Sequence, residues 1–151
     1  TLEWFANLET VGFVWLVGLT GLTSLNGLDP IEGERLQVTG TGIEHVDSFN
    51  QVETLNEIEF GGNNSLQILD GFESLQSITG EGGSNFFSFR VRRNATLEEI
   101  RGFDRLSHVE RGMSIASNPC LPEDEIRDFE RRVGTSAEGI GNGGDAPCGD
   151  E

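Results

Sequence analysis

His45, His108, Cys120 and Cys148 are the side chains of this 151-residue chain best suited to proton transfer, nucleophilic attack or metal ligation. Their placement supports none of these. A nucleophile or base needs a partner that holds it, and the two histidines occupy different columns of the repeat described below, outside any recognised motif. There is no Tyr, all ten basic residues are Arg, and serines are scattered through turns, so catalysis is not expected. Two cysteines without a nearby histidine make a poor zinc site. Cys120 and Cys148 bracket the C-terminal segment and are expected to form a disulfide, worth roughly 3 kcal/mol or somewhat more in the loop-entropy model. Such a bond implies an oxidising, extracellular or periplasmic setting. The run Gly141-Asn142-Gly143-Gly144-Asp145 is similar to a calcium-binding nonapeptide but occurs once. No metal and no cofactor are expected.

More informative are five apolar-x-apolar pairs: Val14/Leu16, Leu36/Val38, Ile58/Phe60, Phe89/Val91 and Met113/Ile115. In a strand the residue between such a pair points the other way. The outward row is then Trp15, Gln37, Glu59, Arg90 and Ser114. Flanking rows are Phe13, Arg35, Glu57, Ser88, Gly112 and Val17, Thr39, Gly61, Arg92, Ala116. Glu57 and Glu59 beside Arg90 and Arg92 predict cross-strand ion pairs, worth little if exposed. Phe13, Trp15 and Val17 predict an exposed apolar patch, which usually marks an interaction site. This end is expected to dock onto another chain, another domain or its own copy, unless upstream sequence covers it.

These strands are positioned by an apolar residue at every third position. Ile43, Val46, Phe49, Val52, Leu55 and Ile58 keep this step, as do Leu66, Leu69, Phe72, Leu75, Ile78 and Leu97, Ile100, Phe103, Leu106, Val109. A helix wants a period of 3.6, so a strict step of three would drift around it. A coil with corners returns such residues to its inside, and stacked coils share one continuous stripe that no single coil can bury. Coils begin at Leu22, Ile43, Leu66, Leu97 and Leu121, at spacings of 21, 23, 31 and 24, near the leucine-rich-repeat range. An incomplete first coil, with Leu2, Phe5, Leu8 and Val11 in step, leaves an open edge that is a template for strand addition.

Asn63, Asn94 and Asn118 each follow a pair by three residues. Buried at a turn, they would satisfy backbone groups left unpaired by the bend. Asn63 and Asn94 also match the glycan acceptor pattern; the shared column favours a structural Asn ladder. The longest coil carries its excess at 80–87, and solenoid insertions become loops, often on the binding face. Phe86 or Phe87 is there an exposed anchor, or one of them tucks over the coil edge. After Cys120 the period changes. Pro122 and three acids open a helix over about 122–133, with Ile126, Phe129 and Val133 on one face, and Gly134 stops it. Ile140 is expected in a last edge strand, before a Gly/Asp-rich tail.

The formal net charge is -16, which excludes non-specific nucleic-acid binding, since phosphates need a positive surface. The acidity reads as solubility or as adaptation to a saline habitat. Thr10 to Leu28 carries no charge over 19 residues, long enough to span a bilayer, but four glycines and the three-residue step argue against a membrane span. No Met opens the sequence and no basic leader is visible, which reads as a mature or excised fragment.

The pattern Leu66-x-x-Leu69-x-Gly71-Phe72-x-x-Leu75-x-x-Ile78, followed by Phe89-x-Val91-x-x-Asn94-x-x-Leu97, resembles the receptor L domain, a β-helical relative of leucine-rich repeats. The Asn118-Pro119-Cys120-Leu121-Pro122 run into a helix looks like the end of bacterial versions, and the resemblance covers roughly 2–134. It implies a mainly β fold of the α/β solenoid family: a right-handed single-strand β-helix of about five coils over 1–121, with a C-terminal cap over 122–151. It is specific for fold and weak for function; the cysteine-rich modules of receptor forms are missing, so growth-factor binding is not carried over. The expected function is a secreted or cell-surface binding or adhesion module. It would use the strand face and the 80–87 loop to hold another protein or a surface polymer. The alternative is a structural subunit that self-assembles end to end through its open N-terminal coil into an oligomer or fibre.

Overall fold

A computed structural model describes residues 12–28, 34–83, 85–143 and 148. The first-coil positions Leu2, Phe5, Leu8 and Val11, Ile31 of the second coil, and most of the tail after Gly143 lie outside the described residues. The strands are β1 (Phe13–Val17), β2 (Arg35–Thr39), β3 (His45–Val46), β4 (Thr54–Leu55), β5 (Glu57–Gly61), β6 (Ile68–Leu69), β7 (Ser77–Ile78), β8 (Phe89–Arg92), β9 (Glu99–Ile100), β10 (His108–Val109) and β11 (Met113–Ala116). Helix α1 (Glu123–Val133) and strand β12 (Ala137–Glu138) complete the chain.

The result is a parallel β-solenoid of about five turns with one short helix near its C-terminus. Its large sheet has the order β1-β2-β5-β8-β11-β12. Two small ladders, β3-β6-β9 and β4-β7-β10, form the other sides. The three later coils each make three short strands, β3-β4-β5, β6-β7-β8 and β9-β10-β11, as the β-helix expected from sequence requires. The two-residue strands are too brief for an alternation signal to show.

The three-residue step has a local cause. At recurring corners the amide of the returning apolar residue donates to the carbonyl three residues earlier: Val52 to Phe49, Leu66 to Asn63, Leu75 to Phe72, Leu97 to Asn94, Leu106 to Phe103. Each of these corners is a tight turn whose first and fourth residues both face inward. Between turns the columns align, since the register pairs Val14 with Leu36, Leu36 with Ile58, Ile58 with Phe89, and Phe89 with Met113. All five are buried.

Aromatic rings fill the broad part of the core. Phe49 stacks on Phe72 with centroids 5.2 Å apart, Phe72 stacks on Phe103 at 4.8 Å, and Phe129 of α1 meets Phe103 edge-on at 5.5 Å. The helix thus closes the stack with the same ring chemistry that builds it. Glu123, Asp124 and Glu125 in its first turn and Arg131 and Arg132 in its last suit the helix dipole. Gly134 ends it in a left-handed conformation with its amide on the Glu130 carbonyl. Arg132 ties the helix to the last coil through Asp104 at 3.0 Å.

One corner after each long strand is left-handed. Gly18, Gly40 and Gly62 occupy it in the early coils, then Arg93 (φ 58°) and Ser117 (φ 57°), then Gly141. The edge strand departs from expectation. It lies at Ala137–Glu138, where Ala137 is in register with Met113, and Ile140 is 86% exposed. Ile140 contributes only its carbonyl, which accepts from the Ser117 amide.

Candidate binding face

The outward side of the large sheet carries most of the residues singled out from sequence. Register places Trp15, Gln37, Glu59, Arg90, Ser114 and Glu138 side by side in one row. Phe13, Arg35 and Glu57 form a second row; Val17, Thr39, Gly61, Arg92 and Ala116 form a third. The face divides into an apolar end and a charged middle.

At the apolar end, β1 alternates buried Val14 with exposed Phe13, Trp15 and Val17. Trp15 is 63% exposed, and Leu19 beyond the strand is exposed as well, a continuation that the sequence reading missed. Phe13 meets Trp15 edge-on with centroids 5.9 Å apart, and the Arg35 guanidinium lies over the Phe13 ring at 5.3 Å. Beside Phe13 opens a cleft of about 330 Å3 lined also by Glu34, Arg35, Asn56, Glu81 and Gly82.

The charged middle carries the cross-strand pairing expected of Glu57, Glu59, Arg90 and Arg92, but in part buried. Glu57 is 1% exposed and Arg90 is also buried. Glu57 pairs chiefly with Arg35 at 2.8 Å and stands 3.9 Å from Arg90, while Glu59 takes Arg90 at 2.7 Å and Arg92 at 3.4 Å. Burial lowers the Arg90 pKa against the opposing pull of Glu59 and Glu57, yet a guanidinium stays charged in proteins. Removing one member of such a buried set would leave its partner uncompensated, typically at about 3–5 kcal/mol.

The insertion folds back over Glu57 and helps to bury it. Asn85 Nδ2 donates to Glu57 Oε2 at 3.2 Å. Arg111 Nη1 donates to the carbonyls of Gly83 and Asn85. Gly83 lies so close above the Glu57 carboxylate that a β-carbon there would sit 2.7 Å from Glu57 Cδ. The Phe pair then separates: Phe86 is 91% exposed, and Phe87 is half-buried against the Gly112 turn. Arg111 and Asn85 were not identified from sequence, because their partners lie 26 to 28 residues away and carry no shared pattern.

The asparagine column runs inside the coil corner. Thr41 donates its amide to Asn63 Oδ1 at 3.0 Å; the Asn63 amide donates to Asn94 Oδ1 at 3.0 Å, and the Asn94 amide to Asn118 Oδ1 at 3.1 Å. Each side-chain amide also donates to a strand carbonyl: Asn63 to Val38, Asn94 to Phe60, Asn118 to Val91. All three asparagines are buried, which leaves no room for a glycan on Asn63 or Asn94 in the folded chain. The column continues to Asn142, which accepts from the Asn118 amide at 3.2 Å. Sequence reasoning grouped Asn142 with the glycine run, though its spacing of 24 from Asn118 matches the repeat.

His45 and His108 are exposed on different small ladders and are not brought together. Cys120 is buried and Cys148 exposed, and both line one cleft with Pro119, Pro122, Arg127 and Gly143. Among the described residues, no group of three or more His, Cys, Asp or Glu converges as a metal site would require, and no helix is long and apolar enough to cross a membrane. No protein-family model, no curated protein and no solved structure matches the chain.

Proposed function

We propose that this solenoid is a non-enzymatic binding or adhesion module of receptor-L type, working outside the cell or at its surface. It would engage another protein or a surface polymer through the outward face of the large sheet and the 80–87 loop. The observation that carries this reading is the apolar end of the face. Phe13, Trp15, Val17 and Leu19 are exposed together, where a strand without a partner task would carry polar residues. The loop adds Phe86, presented on a backbone that Arg111 and Asn85 brace. Residues held in advance lose less entropy on binding. The extracellular setting goes with a Cys120–Cys148 disulfide, and comparing intact masses of the secreted chain with and without reductant tests that pairing.

The function is tested by displaying wild type, Trp15→Ser and His108→Ser on yeast and measuring adhesion to immobilised extracellular proteins and polysaccharides. Adhesion that Trp15→Ser abolishes and His108→Ser preserves supports the reading. Adhesion indifferent to Trp15, or none to any surface, contradicts it.

A second reading, end-to-end assembly, draws on Ile140, which is 86% exposed beside the opposite edge of the same sheet. The net charge of -16 opposes contact between copies. Sedimentation decides: a concentration-independent monomer near 16.5 kDa removes this reading.

A further inference from the structure

We propose that the β1 end of the large sheet takes a cationic segment of a partner protein, rich in arginine or lysine. The inference rests on the reading of this face as the binding surface and names what it binds. Three observations carry it.

The first is long-range. With 26 acidic and 10 basic residues, the field around the chain draws in cationic partners and slows anionic ones. The same field repels a second copy of this chain.

The second is the pair of exposed rings. Aromatic faces attract guanidinium and ammonium groups, tryptophan most strongly. The site already shows this geometry, since Arg35 lies over Phe13 at 5.3 Å while Glu57 balances its charge at 2.8 Å. Trp15 offers a larger ring with 63% of its surface open.

The third is the cleft beside Phe13. Glu34 and Glu81 both line it and both are exposed. Neither is in an ion pair among the described residues. A basic segment running across the strand would set one cation on Trp15 and the next between the two carboxylates. A neutral glycan would leave those carboxylates unanswered, and an anionic polymer would oppose them.

The test uses the full chain and a fluorescein-labelled, amidated octa-arginine peptide, with anisotropy read at about 0.02 and 0.3 M NaCl. Trp15→Ser and the double variant Glu34→Gln/Glu81→Gln are each expected to weaken binding roughly three- to tenfold at the lower salt. The double variant Glu44→Gln/Glu53→Gln removes the same charge from exposed positions flanking the small ladders. It should weaken binding less than about twofold. Equal loss in both double variants, indifference to Trp15→Ser, or no binding at either salt overturns the proposal. If the peptide fails while Trp15-dependent adhesion to another surface persists, the cationic partner falls and the binding face stands. If both fail, both fall.

Discussion

Replacing Asn94 by Ala is the sharpest probe of how the coils are held in register. The Asn94 side chain accepts from the Asn63 amide at 3.0 Å and from Asn63 Nδ2 at 3.3 Å, and it donates to Phe60 O and Asn118 Oδ1, each at 3.1 Å. In Asn94→Ala, Asn63 Nδ2 keeps Val38 O and Asn118 Oδ1 keeps the Asn94 amide. The Asn63 amide keeps nothing and is buried. An orphaned buried donor costs about 1–3 kcal/mol, and each further lost hydrogen bond about 1 kcal/mol. With one orphaned donor and three further lost bonds, the expected loss is about 4–6 kcal/mol, a large part of a typical domain's stability. Asn94→Asp should be at least as damaging at neutral pH, because its carboxylate would face Asn118 Oδ1 in a dry site. Burial raises the pKa of such a carboxylate above its unfolded value, so the folded state favours the protonated form. Relative to wild type, this variant should therefore recover as pH falls. Asn64→Ala, at an exposed neighbour, should stay within about 0.5 kcal/mol. Urea unfolding followed by circular dichroism measures all three. A loss below about 1 kcal/mol for Asn94→Ala would refute the claim that this column carries the corner.

Phe72 is buried between Phe49 and Phe103, so Phe72→Ala should cost about 3–5 kcal/mol. Phe86→Ala should change stability by less than about 0.5 kcal/mol, and the same urea experiment compares them. Gly83→Ala drives a methyl group into Glu57 and should cost about 1–3 kcal/mol, with faster chymotryptic cleavage after Phe86 as the loop lifts. Unchanged cleavage would contradict the placement of that loop on the face. Arg93→Gly relieves a left-handed corner that glycine fills in three earlier coils and should add about 0.5–1 kcal/mol, the strain relieved exceeding the entropy added to the unfolded chain.

The parts of the fold legible in the sequence are those repeated along it. The step of three, the apolar pairs and the asparagine spacing each recur, and each becomes a column in space. What recurs once is not legible. The insertion at 80–87 announces itself only by length, and nothing in its residues says that it lies against Glu57 rather than projecting away. The burial of Glu57 draws on it. Gly83 and Arg111 matter through a close approach and a pair of carbonyl contacts, neither of which has a periodic signature. Strand β12 was misplaced because Ile140 is the only large apolar residue in its segment, whereas the structure sets small Ala137 beside Met113 beneath the helix. Asn142 was legible and passed over, its column position masked by the glycines around it. At the candidate site, alternation alone placed Phe13, Trp15 and Val17 outward, while Leu19 lies past the strand where alternation no longer applies.

The central claim is that Trp15 serves a partner and not the fold. Its most direct measurement pairs the unfolding free energy of Trp15→Ser with its affinity for the arginine peptide, using Val14→Ser, one residue away and buried, as the reference. The account predicts that Trp15→Ser stays within about 0.5 kcal/mol of wild type in stability and loses peptide binding, while Val14→Ser loses stability. A Trp15→Ser chain that is destabilised by more than about 2 kcal/mol, or that binds the peptide as wild type does, would contradict it.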